Sequence, residues 1–330
     1  MKNSFQIIAA AVLASCLAGC SENPGVETPA ERLIHTTVSI AGTPGTKATD
    51  VTSNDEEAIS NLQIFVFDDK GAVEDYIDAG ASRTGEVITK EGEKTVVAIV
   101  NAPSLRSVTT RSGLFTKTTL LADNHPGSMV MTGEATAVLQ DGGNLTIPVT
   151  RIISKVVLKK VTLDFTSTIN AGKEFRIQSI YLINVPGDNT YSAASEPTIW
   201  YNKLRDGYND TGCESFRLLS DSVNTTVGNK SSYSRDHSFY CYPNPVSAES
   251  FDSTWSPRHT MLVVDALLGN DKVYYPVELP VIGRNKCLTI EELTITKKGS
   301  DQPYKPVEDG TCNITVSIVP WDVTFYRETI

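Results

Sequence analysis

The sequence of 330 residues predicts an all-β protein made of two tandem β-sandwiches with few short helices. Three observations carry this. Short runs in which apolar and polar residues alternate recur from Leu33 to Val319. Gly, Pro, Asn and Asp punctuate most of these runs. The single stretch of helical character, 104–121, is brief.

Residues 1–19 read as an export address. Lys2 supplies a positive start and 7–17 a short apolar core, too short to remain as a membrane span. The segment ends Leu17-Ala18-Gly19-Cys20, which resembles a bacterial lipobox, with lipid attached at Cys20 and the chain cut before it. The polar stretch 20–32 is a tether. A strand at 33–41 then places Ile34, Val38 and Ile40 on one face. Residues 42–55 are rich in turn formers and predict an exposed loop, within which Lys47, followed by small Ala48, is the basic residue.

A second strand at 61–67 is closed by the turn Asp68-Asp69-Lys70-Gly71. A buried run at 95–100, a helix within 104–121 and a hairpin of 127–139 with 145–149 about Asp141-Gly142-Gly143-Asn144 follow. The two halves meet near Pro148–Arg151. Strands are expected in 151–165 and 175–185, and long loops across the polar stretch 186–235. Strands at 239–242, 260–268, 272–279, 287–297 and 312–319 complete a second β set. In 314–318 the apolar face falls on even positions. After Pro320 it moves to odd ones, Trp321, Val323 and Phe325. A one-residue phase change turns every side chain over. The tail 321–330 is therefore expected to be a separate strand-competent segment that must find a ladder, with Trp321 either in that segment or in the core of its own half.

Composition excludes several functions. A formal net charge of −10 argues against nucleic-acid binding. Four scattered His, and six Cys without a CxxC pair, predict no metal site and no cofactor. No GxSxG, HExxH or glycine-rich phosphate loop occurs, so no enzyme is expected. The adjacent carboxylates Glu56-Glu57, Asp68-Asp69 and Glu291-Glu292 are expected on the solvated surface. Past Cys20 the cysteines are Cys213, Cys241, Cys287 and Cys312, and at least one disulfide among them is expected, with the pairing open.

The ordered set of motifs resembles the Bacteroidales fimbrillin family, the FimA/Mfa-like subunits of type V pili. The set comprises the lipobox, Gly45-Thr46-Lys47-Ala48-Thr49, Leu62-Gln63-Ile64-Phe65-Val66-Phe67-Asp68, Met131-Thr132-Gly133-Glu134, the run from Ile147 to Val156, Phe239-Tyr240-Cys241-Tyr242-Pro243-Asn244, Arg284-Asn285-Lys286-Cys287 and Ile314-Thr315-Val316 with Trp321. The resemblance implies two transthyretin-like domains, here 48–150 and 151–330, behind a propeptide of residues 20–47. It implies export as an outer-membrane lipoprotein and cleavage by a trypsin-like protease after Lys47, where many members carry Arg. Arg32 is the rival site, but a cut there leaves the first strand in place. It further implies filament growth by donor-strand exchange with other pilin subunits, supporting adhesion and biofilm formation. The tail 321–330 would be the donor, and Ile34, Val38 and Ile40 would mark the strand it replaces. Two other readings are an anchor or tip subunit of the same fimbria, and a surface glycan-binding lipoprotein using Trp200, Tyr201 and Tyr208.

Overall fold

A buried strand needs a partner for every backbone group, and this chain meets that need mainly with antiparallel ladders and with two parallel ones. The computed structural model describes residues 32–42, 54–165, 167–192, 195–206, 208–209, 218–249, 255–307 and 313–320. In chain order the first elements are β1 (Leu33–Gly42), β2 (Leu62–Phe67), β3 (Val73–Asp78), β4 (Thr84–Lys90), β5 (Gly92–Val100), α1 (Arg111–Thr116), β6 (Thr118–Leu120), β7 (Met131–Leu139) and β8 (Gly143–Arg151). They are followed by β9 (Ser154–Leu163), α2 (Thr168–Ala171), β10 (Phe175–Ile183), β11 (Val185–Pro186), β12 (Asp188–Thr190), β13 (Trp200–Tyr201), β14 (Leu204–Arg205) and β15 (Tyr208–Asn209). The last are β16 (Ser220–Val227), β17 (Ser231–Cys241), β18 (Met261–Leu268), β19 (Asp271–Glu278), β20 (Lys286–Ile295) and β21 (Asn313–Pro320). The all-β expectation holds, with α1 and α2 the α-helices among the described residues.

The first β set is one sheet in the order β3-β2-β5-β7-β8-β1-β4. It folds back on itself at the β7–β8 hairpin, which pairs only at Met131↔Arg151 and Thr132↔Thr150. At that crossing a Cβ on Gly133 would stand 2.2 Å from the Pro148 carbonyl oxygen, so only glycine fits. Ile34, Val38, Ile40, Val87, Ile147 and Val149 on one side meet Leu62, Ile64, Val66, Val96, Ala98 and Val100 on the other. The two outer strands are bridged by side chains: Asp75 Oδ2 accepts the Ile88 N–H at 2.7 Å, and Thr89 Oγ1 donates to Glu74 Oε2 at 2.5 Å. Charged side chains on a strand edge also discourage pairing with a foreign strand.

The second set is two four-stranded sheets, β16-β10-β18-β19 and β17-β9-β20-β21. Phe175, Ile177, Val264 and Ala266 of one share a core with Val156, Leu158, Phe239, Leu288 and Ile290 of the other. Strand β2 serves both cores. Its even residues enter the first, and Phe65 and Phe67 join the larger cluster that contains the second. A strand buried on both faces reads as a near-continuous apolar run, as Leu62-Gln63-Ile64-Phe65-Val66-Phe67 does. Pairing of β6 with β12 (Asp188↔Leu120 to Thr190↔Thr118) also ties the two sets together, and residues from Leu33 onward form one compact unit.

Several expectations are corrected. Among its described residues the stretch 186–235 is not mainly loop: it holds β12 to β16 and the start of β17. Its polar composition reflects position, since β16 is an edge strand whose residues alternate between half-buried and exposed. Strands β3 and β4 occupy the stretch between 72 and 90, where no strand was expected. The helix within 104–121 shrinks to α1, capped where Thr110 Oγ1 accepts the Gly113 N–H at 3.0 Å. Cys241 and Cys287 are free, buried thiols. Strand β9 lies between their strands, placing them roughly two strand spacings, about 9–10 Å, apart, beyond disulfide reach. Cys213 and Cys312 lie outside the described residues. At the end of β21 the even face is not the covered one: Ile318 is 46% exposed, while Val319 packs against the core. Among the described residues β21 is the edge of its sheet, with β20 on one side.

Candidate functional site

Strand β1 comes from near the start of the chain yet runs through the middle of a sheet. It pairs antiparallel with β4, from Leu33↔Lys90 to Ser39↔Thr84. On its other side it pairs parallel with β8, from Thr36↔Gly143 to Gly42↔Val149. The sequence alternates, and so does burial: Ile34, Thr36, Val38 and Ile40 point inward. The outward face is polar apart from Leu33 and Ala41, with His35 Nδ1 2.8 Å from Glu86 Oε1 and Ser39 Oγ 2.9 Å from Thr146 Oγ1. Across from Val38 stands Gly85, where a Cβ would fall 2.3 Å from Ile77 Cδ1. The glycine lets Ile77 pack beside the inserted strand.

Both ends of β1 are held. The turn after β7 grips its start: Gly142 N–H donates to the His35 carbonyl at 2.8 Å, His35 N–H to Asp141 Oδ1 at 3.1 Å, and Thr36 Oγ1 to the Gln140 carbonyl at 3.0 Å. Gly142 has φ +70°, a left-handed conformation natural to glycine. Near the other end Ile40 N–H donates to the Arg83 carbonyl at 3.0 Å.

Burial of Ile34, Val38 and Ile40 is worth about 1.5–3 kcal/mol each. Taking β1 away would leave an apolar trough walled by two unpaired ladders, one on β4 and one on β8. Any alternating strand with apolar residues at every second position matches that chemistry. Because one wall is antiparallel and the other parallel to β1, a strand entering in either direction meets one neighbour of each kind. The structure thus brings together Ile34, Val38 and Ile40. Cys20, Lys47, Ala48, Trp321, Val323 and Phe325 lie outside the described residues.

Sequence reasoning missed a second cluster. Residues Asn54–Glu57 form a 3-10 turn, and Glu56 is 1% exposed rather than solvated. Its Oε1 lies 2.6 Å from Lys155 Nζ and also accepts the Tyr240 hydroxyl. Arg151 donates to the Glu56 carbonyl through Nε at 3.2 Å and Nη2 at 3.1 Å. Both cations are buried. The available signal was Lys155 within the apolar run 152–158, since a buried cation requires a partner. Nearby, burial pushes the Cys241 thiol up to about 12. Trp200 and Tyr201 are half-buried, and Trp200 packs on Trp255 with ring centroids 6.0 Å apart.

The class so defined is an all-β protein whose first sandwich is completed by a strand from near its own start. Residues 36–172, less than half the chain, match the family model described as Major fimbrial subunit protein (FimA), which bears out the resemblance read from the motifs. No curated protein matches the sequence. Among solved structures, fimbrilin from Porphyromonas gingivalis is similar with a TM-score of 0.64 at 16% identity, covering 89% of this chain and 99% of that one. A candidate cell adhesion protein from Bacteroides eggerthii gives 0.65 at 16% identity, covering 88% and 96%. The tip fimbrial protein Mfa3 of Porphyromonas gingivalis, with a C-terminal truncation, gives 0.51 at 12%, covering 88% and 100%. At these identities the likeness is one of fold.

Proposed function

We propose that this protein is a structural subunit of a surface fimbria, with no catalytic role, that assembles by exchange of its first strand. It is exported as an outer-membrane lipoprotein through Cys20. A trypsin-like protease cuts after Lys47, so that the mature chain begins at Ala48. Strand β1 then leaves, and the tail 321–330 of another subunit enters the slot with Trp321, Val323 and Phe325 in place of Ile34, Val38 and Ile40.

One observation carries the reading: β1 is a complete mid-sheet strand that is joined to the next described segment through residues 43–53, which contain Lys47. A cut there separates the strand without dividing any described ladder. The fimbrial family match over residues 36–172 supports the same reading.

The N-terminal residue of the protein in shed filaments tests the maturation step. Ala48 is expected, and a start upstream of Leu33 would overturn it. Deleting Val323 to Ile330 is expected to spare monomer folding and stop filament growth, and filaments from that variant under electron microscopy would refute the donor assignment.

A further inference from the structure

The segment behind β1 is tied down by partners that β1 does not use. Glu56 is fixed by Lys155 of β9, Tyr240 of β17 and Arg151 at the end of β8. On either side of it, Gly127 N–H donates to the Asp55 carbonyl at 2.6 Å and Asn101 Nδ2 to the Ala58 carbonyl at 2.8 Å. Asn101 Oδ1 accepts the Ser60 N–H at 2.7 Å. β1 is held by β4, by residues 143–149 of β8, by the turn 140–142 and by Arg83. Among the described residues, these two sets of polar attachments share strand β8 but no residue, and the segment meets the core that β1 fills through Ile59.

We infer that Glu56, clamped by Lys155, Tyr240 and Arg151, is a latch that holds the chain behind the first strand in place independently of that strand. The inference deepens the proposed function and rests on its reading that β1 leaves the slot. Residues 54–61 lead directly into β2, on which both cores rest. If they followed β1 out, β2 would lose its lead-in, and the trough would collapse instead of standing open. Breaking a buried ion pair on one side leaves the other charge stranded in the interior, so the latch should fail sharply when Glu56 is neutralised.

Hydrogen–deuterium exchange on the intact, uncleaved chain tests this by crossing two variants. Glu56→Gln is expected to speed exchange of amides 54–61 by at least about tenfold and to leave amides 34–40 unchanged. Val38→Ala, which loosens β1 through its core contact, is expected to do the reverse. Tyr240→Phe removes a single donor and carries the same test, with a smaller effect, if Glu56→Gln does not fold. The latch is overturned if the Glu56 or Tyr240 change leaves 54–61 as protected as before, or if Val38→Ala opens both segments by the same factor. These readings do not depend on cleavage or filament growth, which decide the proposed function separately.

Discussion

The two β sets differ in what completes them. The two sheets of the second are built from strands within 154–320, paired with one another and with no strand from near residue 33. The first closes only when β1, set off from the next described segment by residues 43–53, fills the gap between β4 and β8. A strand at a sheet edge can be lost with one ladder. A strand in mid-sheet takes two ladders and a row of core side chains with it. The first set is thus the one whose completion a foreign strand could supply, and the energy that holds β1 is the energy a replacement would recover. The buried carboxylate at Glu56 lies where that set meets the second, behind β1 in the chain rather than on it.

The most damaging change should therefore open one set and spare the other. Val38→Asp places a carboxylate at a fully buried site facing Ile64 and its neighbours in the first core. The expected cost is at least about 3 kcal/mol. Hydrogen exchange should show amides of β1, β4 and β8 losing protection while β10 and β18 keep theirs. Concerted loss in both sets would break the distinction and mean that the shared strand β2 couples them into one cooperative unit.

How much of this was legible in the sequence follows from the range of the interactions involved. β1 shows one buried face, so period-two alternation gave its extent to within a residue and its inward apolar residues, but not Thr36, which is buried on the same face. Its partners could not be read, because β8 is about a hundred residues away and periodicity carries no pairing information. Strands β3 and β4, Val-Glu-Asp-Tyr-Ile-Asp and Thr-Gly-Glu-Val-Ile-Thr-Lys, went unseen because they carry polar residues that bind each other across the closing edge. Glu56 was misplaced for a different reason. Adjacent carboxylates suggest a solvated surface, and nothing local shows that a 3-10 turn will deliver one of them to a cation a hundred residues on.

A smaller effect should appear in the second set alone, and with pH. His237 of β17 is buried between Asp221, 2.7 Å from its Nδ1, and the Tyr233 hydroxyl, 3.0 Å from its Nε2. Burial lowers its pKa below the ordinary 6.5, against the opposing pull of Asp221. The unfolded chain then takes up a proton at higher pH than the folded one. Stability should be full above the unfolded value and fall as the pH drops through it toward the depressed folded value. Urea unfolding followed at β16 and β17 should show this slope, and His237→Gln should flatten it while leaving the first set unchanged. An unaltered slope in the variant would move the pH dependence to another group.

The least effect is expected at the far edge of the second set, where the structure reverses the alternation read from the sequence. Ile318 belongs to the apolar face on even positions, yet it is 46% exposed, whereas Val319 packs against the core beside Cys287, its register partner on β20. If the sequence pattern decided the matter, Ile318→Ser would be the costly change and Val319→Ser the mild one. The structure requires the opposite order. Ile318→Ser removes a side chain that already stands nearly half in water and should cost less than about 1 kcal/mol of monomer stability. Val319→Ser strips methyl groups from a packed contact and leaves a hydroxyl there, which should cost about 1–2 kcal/mol. Thermal unfolding of the two variants side by side decides between the orders. Equal costs would mean that both faces of β21 are covered in solution, placing a further segment over Ile318.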